Sequence, residues 1–150
     1  MTRGVRGRRL AWMVAATVAV LAIALPVSAG AFFARHFSVV SVQTHGHRTS
    51  DGFAFRIELF NPDNLSNMVG HGHARCAGAP HTKAHCKVFV HLDGTIGGFG
   101  DLFLKGNLGG RDHTLNVADG DGDFSGRIAG KAFIHHLNSR VNQVDFDLTR

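Results

Sequence analysis

The sequence contains no tyrosine, a single tryptophan, three prolines and two cysteines in 150 residues. With so little proline and no Pro/Ser-rich tract, nothing reads as a linker between domains. Two cysteines spaced Cys-x9-Cys do not supply the close ligand pairs of a structural zinc motif. Beyond Phe37 there is no apolar stripe at the 3.6-residue helical period, which argues against a helical bundle. No Ser-His-Asp signature, phosphate loop or dinucleotide fingerprint is present, so those hydrolytic and nucleotide-binding classes lose their support.

Charge is missing from one long stretch, between Arg9 and Arg35. It follows a basic head carrying Arg3, Arg6, Arg8 and Arg9, runs apolar over residues 10–25, and ends at Pro26-Val27-Ser28-Ala29-Gly30-Ala31. Basic head, apolar middle and small-residue cut predict a signal helix over residues 1–31, removed on export. An uncleaved anchor is the alternative, since a span needs about 20 apolar residues, but Pro26 interrupts that run. The expected location is secreted or extracellular; if the leader is kept, it tethers the remaining domain outside and is its sole membrane contact.

The leader also changes the charge argument. The chain has 16 Lys and Arg against 11 Asp and Glu, and the four head arginines leave 12 against 11. The high pI therefore belongs mostly to the leader. Without a basic stripe interleaved with aromatics, no nucleic-acid partner is expected.

Residues 32–150 suffice for one domain with one core. Their apolar residues alternate at period two, predicting eight strands at about 37–45, 53–60, 69–76, 85–92, 95–104, 113–118, 126–137 and 140–148. Phe53, Phe55, Ile57 and Leu59 alternate with Ala54, Arg56, Glu58 and Phe60, while residues 137–140 form a hairpin turn. Glycines inside the predicted strands, such as Gly70, Gly72, Gly97, Gly98 and Gly100, suit bends and close backbone approach. An all-β fold closed into a barrel fits them better than a flat sandwich. Cys76 and Cys86 flank one strand connection, and in an exported chain they are expected to form a disulfide.

Few groups suggest chemistry. Residues 119–123 (DGDGD) fail as an EF-hand, because Phe124 and Gly130 stand where Gly and Glu are required, so the segment is read as a polar turn. His71 and His73 share a strand face with Arg75; with His91 they could ligate a metal, but no carboxylate or thiolate completes a set, and no metal is expected. Arg56 and Glu58 share a face of their strand. If it lines the lumen they are the candidate acid–base or substrate-gripping pair; if it meets solvent they are an ordinary surface pair. Alternation alone leaves the direction open.

Several segments resemble the allene oxide cyclase barrel and dirigent superfamily, especially its small secreted bacterial members. They are residues 55–63 (FRIELFNPD), 69–76 (VGHGHARC), 85–96 (HCKVFVHLDGTI) and 115–130 (LNVADGDGDFSGRIAG). The last resembles the family's apolar strand, Gly-rich turn and Gly-x-x-x-Gly lead into the next strand, although Asp119 and Asp121 make the turn more polar. The resemblance implies an eight-stranded antiparallel barrel, a homotrimer, and chemistry without cofactor: cyclisation of an unstable epoxide or steering of phenolic coupling. The expected function is binding of a small apolar or phenolic ligand, with Glu58 and Arg56 as candidate catalytic residues and Phe55, His71, His73 and Arg75 as candidate ligand contacts. Whether any cyclase- or isomerase-like activity accompanies binding is left open. The alternative is a non-enzymatic exported protein of the cell envelope, with a filled lumen and a binding surface outside.

Overall fold

A computed structural model describes residues 36–79, 83–109, 112–126 and 128–149; the expected leader lies outside them. Eight strands follow in order: β1 (His36–Arg48), β2 (Gly52–Asn61), β3 (Asn64–Ala77), β4 (Ala84–Asp93), β5 (Phe99–Leu108), β6 (Asp112–Gly120), β7 (Ala129–His136) and β8 (Val141–Thr149). Each pairs antiparallel with the next, and β8 returns to β1, closing the barrel. All eight expected strands are found. Among the described residues, no helix is long and apolar enough to cross a membrane.

Closure decides what alternation could not. One set of every strand turns inward: Ile57 and Leu59 on β2, Val88, Val90 and Leu92 on β4, Leu102 and Leu104 on β5, Leu115 on β6, and Val144, Phe146 and Leu148 on β8 are all buried. Gly70, Gly72, Ala74 and Cys76 form the inward set of β3, and their small size lets that wall lie close to its neighbours. A Cβ at Gly72 would sit 2.2 Å from the Phe89 carbonyl oxygen and 3.0 Å from Ile57 Cγ1.

The two ends of the barrel differ. At one end Phe37 stacks on Phe146 with ring centroids 4.7 Å apart, and Phe124 lies 6.5 Å from Phe37. Phe124 belongs to a single 3-10 turn, Gly122–Phe124, capped by the Asp121 side chain. The Asp-Gly-rich segment expected as a turn is therefore what carries the plug. Gly97, at φ +78°, lies flat against Phe37, and a Cβ there would sit 2.7 Å from the ring. Gly94, Gly97 and Gly98 all take positive φ, which glycine adopts without steric cost and which here turns the chain between β4 and β5. β5 accordingly begins at Phe99 and not at residue 95.

Cys76 and Cys86 are joined in a disulfide and sit directly opposite each other on β3 and β4. The bond pins two adjacent strands near the other, open end, and such bonds persist in oxidising compartments.

Candidate functional site

The open end leads into a cavity of about 480 Å³, within the range of small-molecule sites. Its two walls differ in chemistry. Strands β2 to β5 contribute Phe53, Phe55, Ile57, Leu59, Ala74, Val88, Val90, Leu104 and Leu108, an apolar wall with two aromatic rings stacked 6.1 Å apart. Across from it, β6, β7, β8 and β1 contribute His113, His136, Asn142, Ser41 and Gln43 among Leu115, Ala132, Ile134, Val144 and Phe146. No Asp, Glu, Lys or Arg lines the cavity among the described residues.

The polar groups are held by register. Ser41 on β1 lies opposite Asn142 on β8, whose Nδ2 donates to Ser41 Oγ at 3.5 Å. Ser41 is 4 % exposed and His113 is 9 % exposed, so both are held inside the wall. The His113 and His136 rings meet edge to face, 5.3 Å apart. The Gly109 amide donates towards the His113 ring, 3.3 Å from Nδ1. Two imidazoles at an apolar portal can exchange a proton with a phenolic or enolic oxygen. With no Asp, Glu, Lys or Arg among the described lining residues, an ionised ligand would lose its hydration without gaining a counter-charge from them.

Of the residues expected from sequence, Phe55 lines this cavity. Arg56 and Glu58 do not: their strand turns Phe55 and Ile57 inward, so the pair lies on the outer face. The lumen role open to them in the sequence is corrected by that orientation. His71, His73 and Arg75 are also outside, exposed on β3. There the His71 ring lies 5.1 Å from His91, and His73 stacks on Phe89 at the same distance. His91 Nδ1 is 2.6 Å from Asp101, and Arg75 pairs with Asp51 at 3.6 Å. Among the described residues, no three His, Cys, Asp or Glu side chains come together to hold a metal ion.

Sequence reasoning missed His113, His136, Asn142, Ser41 and Gln43. The signal was the phase of the alternation. His113 falls in step with Leu115 and Val117, His136 with Ala132 and Ile134, and Asn142 with Val144 and Phe146. A polar residue in phase with an apolar set marks a lumen position.

Outside the cavity, one carboxyl ties β8 to both of its neighbours. Burial would raise Asp145, but hydrogen bonds donated by Gln143 and Ser38 and the nearby His135 outweigh it, holding the carboxyl below its ordinary value. Ser38 Oγ and Gln143 Nε2 lie 2.6 and 2.9 Å from Asp145 Oδ1, and His135 Nε2 lies 3.4 Å from Oδ2. A carboxyl depressed on folding stabilises the fold above its unfolded pKa of about 3.9, and that gain is lost as pH falls through the folded value. An Asp145→Asn variant is expected to melt below the native chain at about pH 6, with the gap closing towards about pH 3. A gap independent of pH, measured by circular dichroism, would show that the ionised carboxyl contributes nothing.

No protein-family model matches this sequence, and no curated protein matches it significantly. Solved structures do. The pyocyanin demethylase structure superposes with TM-score 0.60 at 15 % identity, covering 76 % of this chain and 99 % of its own. The pterocarpan synthase dirigent protein GePTS1 gives TM-score 0.57 at 12 % identity, over 75 % of this chain and 84 % of that one. The pterocarpan synthase dirigent protein PsPTS1 gives 0.52 at 11 %, over 75 % and 91 %. The likeness is one of fold, and the fold is the dirigent-type barrel that the sequence resembles.

Proposed function

We propose that this exported barrel binds a small, uncharged, largely apolar or phenolic molecule in its lumen and biases that molecule's cyclisation or coupling by confinement. The observation that carries this is the open, two-faced cavity: an apolar wall from β2 to β5 facing a neutral polar wall from β6 to β1. A ligand with a flat apolar body and one oxygen-bearing edge satisfies both walls at once. Held between Phe53 and Phe55 on one side and His136 and Asn142 on the other, it would reach few conformers, and restricting reactive geometry is itself a source of rate and selectivity. His113 and His136 are the candidate groups for moving a proton at the ligand's oxygen. The barrel neighbours are named for pyocyanin demethylation and for pterocarpan synthesis, which supports a small-molecule ligand for a barrel of this fold. The envelope-protein alternative called for a filled lumen, and the cavity favours binding instead.

Titration with 2-naphthol tests the proposal. The only tryptophan is Trp12 and tyrosine is absent, so residues 32–150 carry neither fluorophore and their emission scarcely overlaps the probe's. Saturable one-to-one binding in the micromolar range, about −8 kcal/mol, is expected. A folded chain that leaves the probe's emission unchanged would sink the proposal.

A further inference from the structure

The barrel is electrically polarised along its axis. At the open end the described cations are Arg48, Arg75, Lys83, Lys87, Lys105 and Arg140, all exposed, against two carboxylates, Asp51 and Asp112. At the closed end stand Asp63, Asp93, Asp101, Asp119, Asp121 and Asp123, while Asp147 lies opposite Lys131, the one cation described there.

The negative end has a local explanation. Asp93 accepts the Thr95 amide at 2.8 Å, Asp123 accepts the Phe99 amide at 2.9 Å, and Asp119 and Asp121 accept the amides that follow them. Those carboxylates build the turns of the plug. The positive end has no such explanation. Arg75, Lys87 and Lys105 occupy one outward row across β3, β4 and β5, each directly opposite the next. Like charges placed directly opposite destabilise a sheet. Asp51 meets Arg75, but among the described residues no ion pair joins Arg48, Lys83, Lys87, Lys105 or Arg140 to a carboxylate.

We propose that the open end docks on an anionic lipid surface. Other polyanions would answer the charge alone. What favours lipid is that the same rim also opens the apolar cavity and carries Leu137, 58 % exposed, on the β7–β8 turn. Basic side chains around an exposed apolar residue are the combination that recognises anionic headgroups over an acyl layer. Docked in this way, the portal would face the phase in which an apolar ligand concentrates. The inference rests on surface charge and stands or falls separately from the ligand proposal.

Residues 32–150 are the piece to test, because every described strand and every described buried core side chain lies between His36 and Thr149; a cooperative thermal transition verifies that the piece is folded. Flotation is compared on neutral phosphatidylcholine vesicles and on vesicles containing about one-third phosphatidylglycerol. Expected are binding to the anionic vesicles alone, weakening with salt, and a loss of about tenfold or more in Lys87→Gln/Lys105→Gln. Lys131→Gln, at the closed end, should bind as the native domain does. Equal binding to both vesicle types, equal losses in the two variants, or binding to soluble DNA or polyglutamate without binding to vesicles would each overturn the proposal.

Discussion

Replacing Ala74 by phenylalanine should abolish ligand binding while leaving the barrel folded. Ala74 is buried on β3, with Phe55 and Val88 directly opposite it on the two neighbouring strands, and it lines the cavity. A benzyl group there projects into the space the ligand would use. Overpacking a filled core costs about 1–3 kcal/mol, but here the added ring has a cavity to enter, so the melting temperature should change little. The expected loss of 2-naphthol affinity is at least about tenfold, or about 1.4 kcal/mol. Arg56→Ala and Glu58→Gln, on the outer face, should bind the probe as the native chain does. If those two variants lost binding and Ala74→Phe kept it, the working face would be the outside of β2 and not the lumen.

Truncating Phe124 to alanine should give the largest loss of stability of any single change considered. The ring is fully buried at the closed end, beside Phe37 and against Gly120, where an added Cβ would lie 2.8 Å from Phe124 Cβ. Removing a buried phenylalanine costs about 3–5 kcal/mol, and for a domain of this size the melting temperature should fall by about 10–20 °C. The 3-10 turn that carries Phe124 is otherwise anchored by a few polar contacts, among them Asp123 to the Phe99 amide and the Asp121 amide to the Asp101 carbonyl. The damage should therefore concentrate at the plug. Hydrogen exchange should quicken first at Phe99 and Asp121, while β3 and β4, joined by the Cys76–Cys86 disulfide, stay protected. A melting temperature within a few degrees of native would mean that the end is closed by something other than Phe124.

The strands were legible because alternation is a local property, and glycines inside them pointed to a curved, closed sheet. What alternation does not carry is a sign. On β2 the outward set includes Phe60 and the inward set includes Phe53, so both faces look apolar in places, and hydropathy does not say which is the lumen. Direction comes from closure, which involves all eight strands at once. The same gap misplaced attention in the site. Arg56, Glu58, His71 and His73 stood out because they are charged or clustered, yet the polar side chains that line the cavity are spread over β1, β6, β7 and β8. Ser41 and Asn142 are 101 residues apart in the chain and become neighbours only when β8 meets β1. The disulfide was legible for the opposite reason, since its two residues flank a single connection and depend on one pairing.

The plug illustrates a further limit. The segment from Asp119 to Asp123 reads as a polar turn; Asp119 and Gly120 end β6, and the turn itself begins at Asp121. Its work lies in Phe124, held inward by the carboxylates around it. The turn chemistry was visible in the sequence, but the destination of the ring depended on Phe37 and Phe146, brought in from the two ends of the barrel sequence.

The central claim is that the lumen, and not the outer wall, receives the ligand. Methyl-resolved NMR during titration with 2-naphthol tests it most directly. Val88, Val90, Leu104, Leu115 and Val144 line the cavity, whereas Val42 and Met68 lie outside that lining. Saturable shifts of the first set and contacts from the probe to Phe55 are expected, with Val42 and Met68 unmoved. Shifts confined to the outer methyls, or none at all in a folded chain, would contradict it.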